Sequence, residues 1–123
     1  MTDIPRAIAD ACALEPGLGL LTDWALVELD ESEDFEDYER QELFAQEYAA
    51  YVQVFDGRVK ELAAHLGQPD FVRRPTPDEQ ERGVEGMKIA AWTKHSPPLY
   101  AGVWHPDREL PIYVFLALWP AAR

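Results

Sequence analysis

A chain of 123 residues with 47% hydrophobic and 28% charged residues has the composition of a soluble globular protein, and at this length a single domain, 1–123, with its own core is expected. The one cysteine, Cys12, excludes an internal disulfide framework and a multi-cysteine metal site, and it fits a reducing compartment. The formal net charge of −12 sits in one half: residues 1–66 carry 16 Asp/Glu against 4 Lys/Arg, whereas residues 67–123 carry 7 of each.

Such a field repels nucleic acid and anionic membrane, and it attracts basic proteins and speeds their encounter. No apolar run approaches the ~20 residues of a membrane-spanning helix. Asp3 and Asp10 stand where a secretory leader would carry basic residues, so a cytoplasmic protein is expected.

The first predicted element is a short helix from Asp3 to Leu14. Thr2 or Asp3 can cap it, Pro5 suits its first turn, and Glu15-Pro16-Gly17 stops it. Ile4, Ala7, Ile8, Ala11 and Cys12 share one face, which assigns Cys12 to packing rather than nucleophilic chemistry. The run Trp24-Ala25-Leu26-Val27-Glu28-Leu29 suits a buried strand or a turn or two of helix, with the strand preferred.

From Glu28 to Glu42 lies the densest acid of the chain, interrupted by Leu29, Phe35 and Tyr38 at spacings that suit anchoring. Asp34 to Leu66 reads as one long amphipathic helix of about 50 Å, at ~1.5 Å per residue. Phe44, Tyr48, Tyr51, Val52, Phe55, Val59, Leu62 and Leu66 form its apolar stripe, with Glu42, Gln46, Gln53, Arg58 and Glu61 opposite. Ser32 or Asp34 can cap it, and Gly67 then Pro69 end it. Asp56-Gly57 has the look of a turn, but the stripe keeps its phase on both sides, which predicts a continuous helix. Acids in a first helical turn favour the positive end of the macrodipole. That explains some of the acid between Glu28 and Glu42 and leaves the rest in excess.

Residues 69–86 read as irregular, with Pro75, Pro77 and Gly83 breaking any period and Arg73, Arg74 and Arg82 facing Asp78, Glu79 and Glu81. Arg73-Arg74 is a weak anion-reading pair beside the simpler reading of a solvated loop. From Met87 the period changes to two. Strands are expected over 87–94, 99–104 and 111–119, joined by the turns His95-Ser96-Pro97-Pro98 and His105-Pro106-Asp107-Arg108-Glu109. The last run is apolar on both faces, so it is a central strand or one whose second face meets another subunit. The expected fold is α+β: an antiparallel sheet of three or four strands, one long helix on one face, and the short N-terminal helix.

No motif for chemistry stands out. There is no phosphate loop, no Gly-x-Ser-x-Gly elbow, no zinc spacing and no calcium loop, so no catalytic residue, metal or cofactor is assigned. His95 and His105 flank one predicted strand and lie too far apart to share a site. The expectation is a non-enzymatic acidic protein-binding module, of the kind an immunity or inhibitor protein represents, for a basic partner. Glu31, Glu33, Asp34, Glu36 and Asp37 are the candidate acids, with Trp92 and Trp104 as candidate aromatic contacts on the second face of the sheet. Two alternatives stand beside it. One is a small enzyme or ligand-binding domain with a helix–sheet pocket lined by Tyr48, Tyr51 and Tyr113. The other is a homodimer or larger homo-oligomer built on the last strand.

Overall fold

The computed structural model describes residues 3–14, 26–35, 42–106 and 110–120. In chain order these form α1 (Ile4–Cys12), β1 (Leu26–Glu31), α2 (Phe44–Leu66), β2 (Phe71–Arg73), α3 (Pro77–Glu81), β3 (Lys88–Trp92), β4 (Leu99–Trp104) and β5 (Tyr113–Leu118). The five strands make one antiparallel sheet in the order β1-β5-β4-β3-β2. The fold is α+β as expected, but the sheet has five strands rather than three or four. The additional strand is β2, which is too short to show a period, and it pairs with β3 inside the stretch that reads as irregular.

Period-two alternation divides the strands between two faces. Ala90, Trp92, Leu99, Ala101, Val114 and Leu116 face the helices, where they pack with Phe55 and Leu62 of α2 and Ile4, Ala7 and Ala11 of α1. Ile89, Ala91, Tyr100, Phe115 and Ala117 point to the far face, with Val84 beneath and Phe71, Trp104 and Trp119 around them. β5 lies between β1 and β4, and residues 114–117 are buried on both faces within the chain itself. Its unbroken apolar run therefore needs no second subunit to cover it. β3 is likewise buried on both faces from Ile89 to Trp92, beyond the half-burial that its sequence implies.

α1 begins at Asp3, whose carboxylate accepts a hydrogen bond from the Arg6 amide at 3.2 Å, with Pro5 in the first turn. Cys12 is half-buried against the core. α2 runs unbroken through Gly57 for 23 residues, about 35 Å at ~1.5 Å per residue, and closes at Gly67, whose φ is 85°. Its start differs from the expectation. Residues 32–35 are not helical, and α2 begins at Phe44, after Leu43, which offers no side-chain cap. Ser32 cannot serve as a cap because its hydroxyl is committed to the sheet. It accepts from the Ile112 amide at 2.9 Å and donates to the Glu33 carbonyl at 2.8 Å.

Candidate functional site

The site begins with an irregularity in β1. Glu28 pairs with Phe115, but Asp30 rather than Leu29 pairs with Val114, so Leu29 is the extra residue of a β-bulge. Leu29 and Asp30 both turn toward the helices. Leu29 enters the core, and Asp30 meets Arg58 of α2 through two hydrogen bonds, 2.7 Å to Nε and 2.9 Å to an Nη. Arg58, which the helical wheel places opposite the apolar stripe, is held by this pair and by Glu61 at 2.9 Å. Its pKa is raised above the ordinary arginine value, chiefly by the hydrogen bond to Asp30.

The bulge also moves Glu31 to the far face, opposite Tyr113. There Leu26, Glu28 and Glu31 of β1, Tyr113 of β5 and Trp104 of β4 line a shallow depression of about 250 Å³. Trp104 and Tyr113 are direct cross-strand partners, and the Trp104 ring meets Phe115 edge-on at 6.3 Å. Two carboxylates thus stand beside two aromatic rings.

Beyond β1 the chain is pinned at two points. Ser32, 6% exposed, continues the ladder to Ile112 through backbone and hydroxyl bonds. Phe35, fully buried, packs edge-on against Phe44 at 5.6 Å and His105 at 5.5 Å. Between these anchors Glu33 and Asp34 are exposed. Since residues 31–34 are not in a helix, the macrodipole gives no account of Glu31, Glu33 or Asp34. Glu36 and Asp37 lie outside the described residues.

The two candidate tryptophans are on opposite faces of the sheet, not together on the second face. Trp92 is 3% exposed beneath the helices, and its indole N–H donates to the Gly67 carbonyl at 2.8 Å, closing the end of α2. Trp104 is half-buried on the far face. Sequence reading assigned both to one face because each alternates with small apolar residues. Strand phase, set by the turn at 93–98, separates them. Glu28 and Tyr113 belong to the depression although the sequence did not single them out as partner contacts. Their alternation with buried neighbours was the available signal.

The tyrosines of the pocket alternative are also apart. Tyr48 stacks on Phe44, and Tyr51 donates its hydroxyl to the Glu31 carbonyl at 3.1 Å. Tyr113 faces the other side of the sheet. On the helix side a groove of about 380 Å³ runs between α2 and β2, walled by Val59, Ala63, Pro69 and Val72. His105 stacks on Phe44 at 4.7 Å, and its Nε2 bonds the Leu110 carbonyl at 2.8 Å. His95 bonds the Pro97 carbonyl at the other end of β4. Arg73 is occupied internally by Glu79, at 2.7 and 2.9 Å, and stacks on Phe71. Among the described residues no group of three or more His, Cys, Asp or Glu is placed to hold a metal ion, and no helix is long and apolar enough to cross a membrane.

No protein-family model, curated protein or solved structure matches this chain.

Proposed function

We propose that the chain is a non-enzymatic, acidic protein-binding module, working as a single domain in the cytoplasm, that engages a basic protein partner in the manner of an immunity or inhibitor protein. One observation carries this reading. Glu28, Glu31, Glu33 and Asp34 are exposed along one continuous segment in which Leu29, Ser32 and Phe35 are buried and Asp30 is half-buried against Arg58. The acid is therefore held in place rather than dispersed on a tail. Preorganised charge of this kind speeds encounter and fixes orientation more than it adds affinity. A net charge of −12 makes nucleic acid and anionic membranes poor partners.

Stopped-flow association with a set of purified basic domains tests the proposal. The on-rate is expected to fall steeply as salt is raised, and to fall again in Glu33→Gln/Asp34→Asn at fixed salt. Binding to no basic domain at low salt, or binding indifferent to salt and to both substitutions, counts against it.

The ligand-binding alternative has one feature in its favour, the groove between α2 and β2, whose mainly apolar wall also carries Lys60 and Gln68. Saturable uptake of an apolar fluorescent probe that is blocked by Ala63→Trp would support that reading. Absence of saturable uptake would remove it.

A further inference from the structure

The depression on the far face allows the partner's contact to be named, on the footing of the protein-binding reading above. We propose that it receives one arginine side chain of the basic partner, its guanidinium plane laid against Trp104 and its charge met by Glu31 and Glu28.

The size comes first. About 250 Å³ falls below the ~300–1,000 Å³ of pockets that enclose drug-sized ligands, and suits one long side chain. The lining comes second. Leu26, an indole, a phenol and two carboxylates line the depression, a combination that repels an anion and favours a cation with a flat apolar face. A guanidinium is planar, stacks on aromatic faces and presents forked donors to carboxylates. An ammonium is a compact, strongly hydrated charge that matches this wall less well.

Rigidity comes third. Trp104 and Tyr113 are the end pair of the β4–β5 ladder, Tyr113 is paired on its other side with Glu31 of β1, and Phe115, against which Trp104 rests, is fully buried. A ready-made wall spares the ordering cost of binding. The bulge comes fourth. In an unbulged register Asp30 would lie opposite Tyr113 and Glu31 would turn toward α2. One extra residue supplies Asp30 to Arg58 and Glu31 to the depression together. Bulges commonly re-aim a side chain at a functional surface in this way. Glu28 and Tyr113 have further interactions of their own, so the variants below act on Glu31 and Trp104.

The test is an NMR titration of the full chain with three blocked tripeptides, Gly-Arg-Gly, Gly-Lys-Gly and Gly-citrulline-Gly, which differ only at the central residue. The arginine peptide is expected to shift the Trp104 indole N–H and the amides of Leu26–Glu31 and Tyr113 saturably. The lysine peptide should bind several-fold more weakly, and the uncharged citrulline peptide should leave these signals unmoved. Glu31→Gln and Trp104→Leu should each weaken the arginine peptide about tenfold, as expected for loss of a charge-assisted contact.

Equal shifts from arginine and citrulline, or from arginine and lysine, overturn the guanidinium assignment. So does indifference to Glu31→Gln, which alters an exposed side chain and keeps the test valid if Trp104→Leu unfolds. A longer basic peptide that perturbs Glu33 and Asp34 while the depression stays silent overturns this inference and leaves the module reading standing. Basic peptides that perturb neither overturn both.

Discussion

The Ser32 hydroxyl accepts from the Ile112 amide and donates to the Glu33 carbonyl at a place where little water reaches. Ser32→Ala leaves the Ile112 N–H without that acceptor, so a loss of about 1–3 kcal/mol is expected in urea denaturation. The same change should loosen the exposed Glu33 and Asp34 and raise their amide hydrogen exchange. Gly57 is the opposite case. A Cβ there meets nothing within 4 Å and the residue lies inside a helix, so Gly57→Ala is expected to stabilise by about 1 kcal/mol. At Gly102 a Cβ would stand 2.8 Å from Cζ of Phe115, a ring buried on all sides. Gly102→Ala should cost about 1–3 kcal/mol in the same denaturation experiment. Helix continuity at Gly57 was legible, because the apolar stripe keeps its phase across it. The need for glycine at 102 was not, because it depends on a ring from a different strand.

At the scale of elements, α2 is tied to β1 through Asp30 and Arg58, a half-buried, two-pronged pair. A double-mutant cycle with Asp30→Asn and Arg58→Met should return a coupling of about 1–2 kcal/mol, above the value usual for exposed pairs. The pair was not legible: helical periodicity put Arg58 on the outer face, and only the bulge turns Asp30 toward it.

The short α3 carries a capping box in which Thr76 and Glu79 bond each other's amides, with Pro77 in the first turn. That signature stands in the sequence, but five residues are too few for a period to reveal a helix. Arg73, whose hydrogen bonds are the largest cause, lowers the Glu79 pKa from 4.5 to about 2. A carboxylate depressed on folding stabilises above its unfolded pKa, and that stability is lost as pH falls from about 4.5 toward 2. Because the Arg73 side chain is 39% exposed, screening limits the contribution to about 1–2 kcal/mol. Glu79→Gln should therefore be less stable than wild type at neutral pH, with the two denaturation midpoints converging toward pH 2. Glu85 works in the opposite sense. Desolvation raises its pKa, so its contribution favours the fold at low pH and is lost as pH rises through the raised value.

At the scale of the whole molecule the charge is unevenly placed. β2 to β5 come from the half in which Lys/Arg and Asp/Glu balance, and β1 brings the acidic half to one edge of the sheet. With a sequence pI near 4.5, solubility is expected to be lowest there and to recover on either side, which turbidity against pH will show. The α+β class, the two-sided apolar character of β5, the N-terminal helix and the long helix through Gly57 were readable in the sequence. β2 was not, and neither was the start of α2.

Composition and periodicity determine which faces are apolar, where long elements run and which half carries the charge, because each is a property of neighbours along the chain. The sequence alone therefore established the long stripe of α2, its stop at Gly67 and the acid around residue 31. Tertiary structure decided which of those acids meet which aromatics. One bulge residue, Leu29, reverses the facing of everything after it in β1. It sends Asp30 to Arg58 and Glu31 to Trp104, while strand phase buries Trp92 on the other face. A shift of one residue in a strand moves a side chain through the full thickness of the sheet, and no local pattern records it.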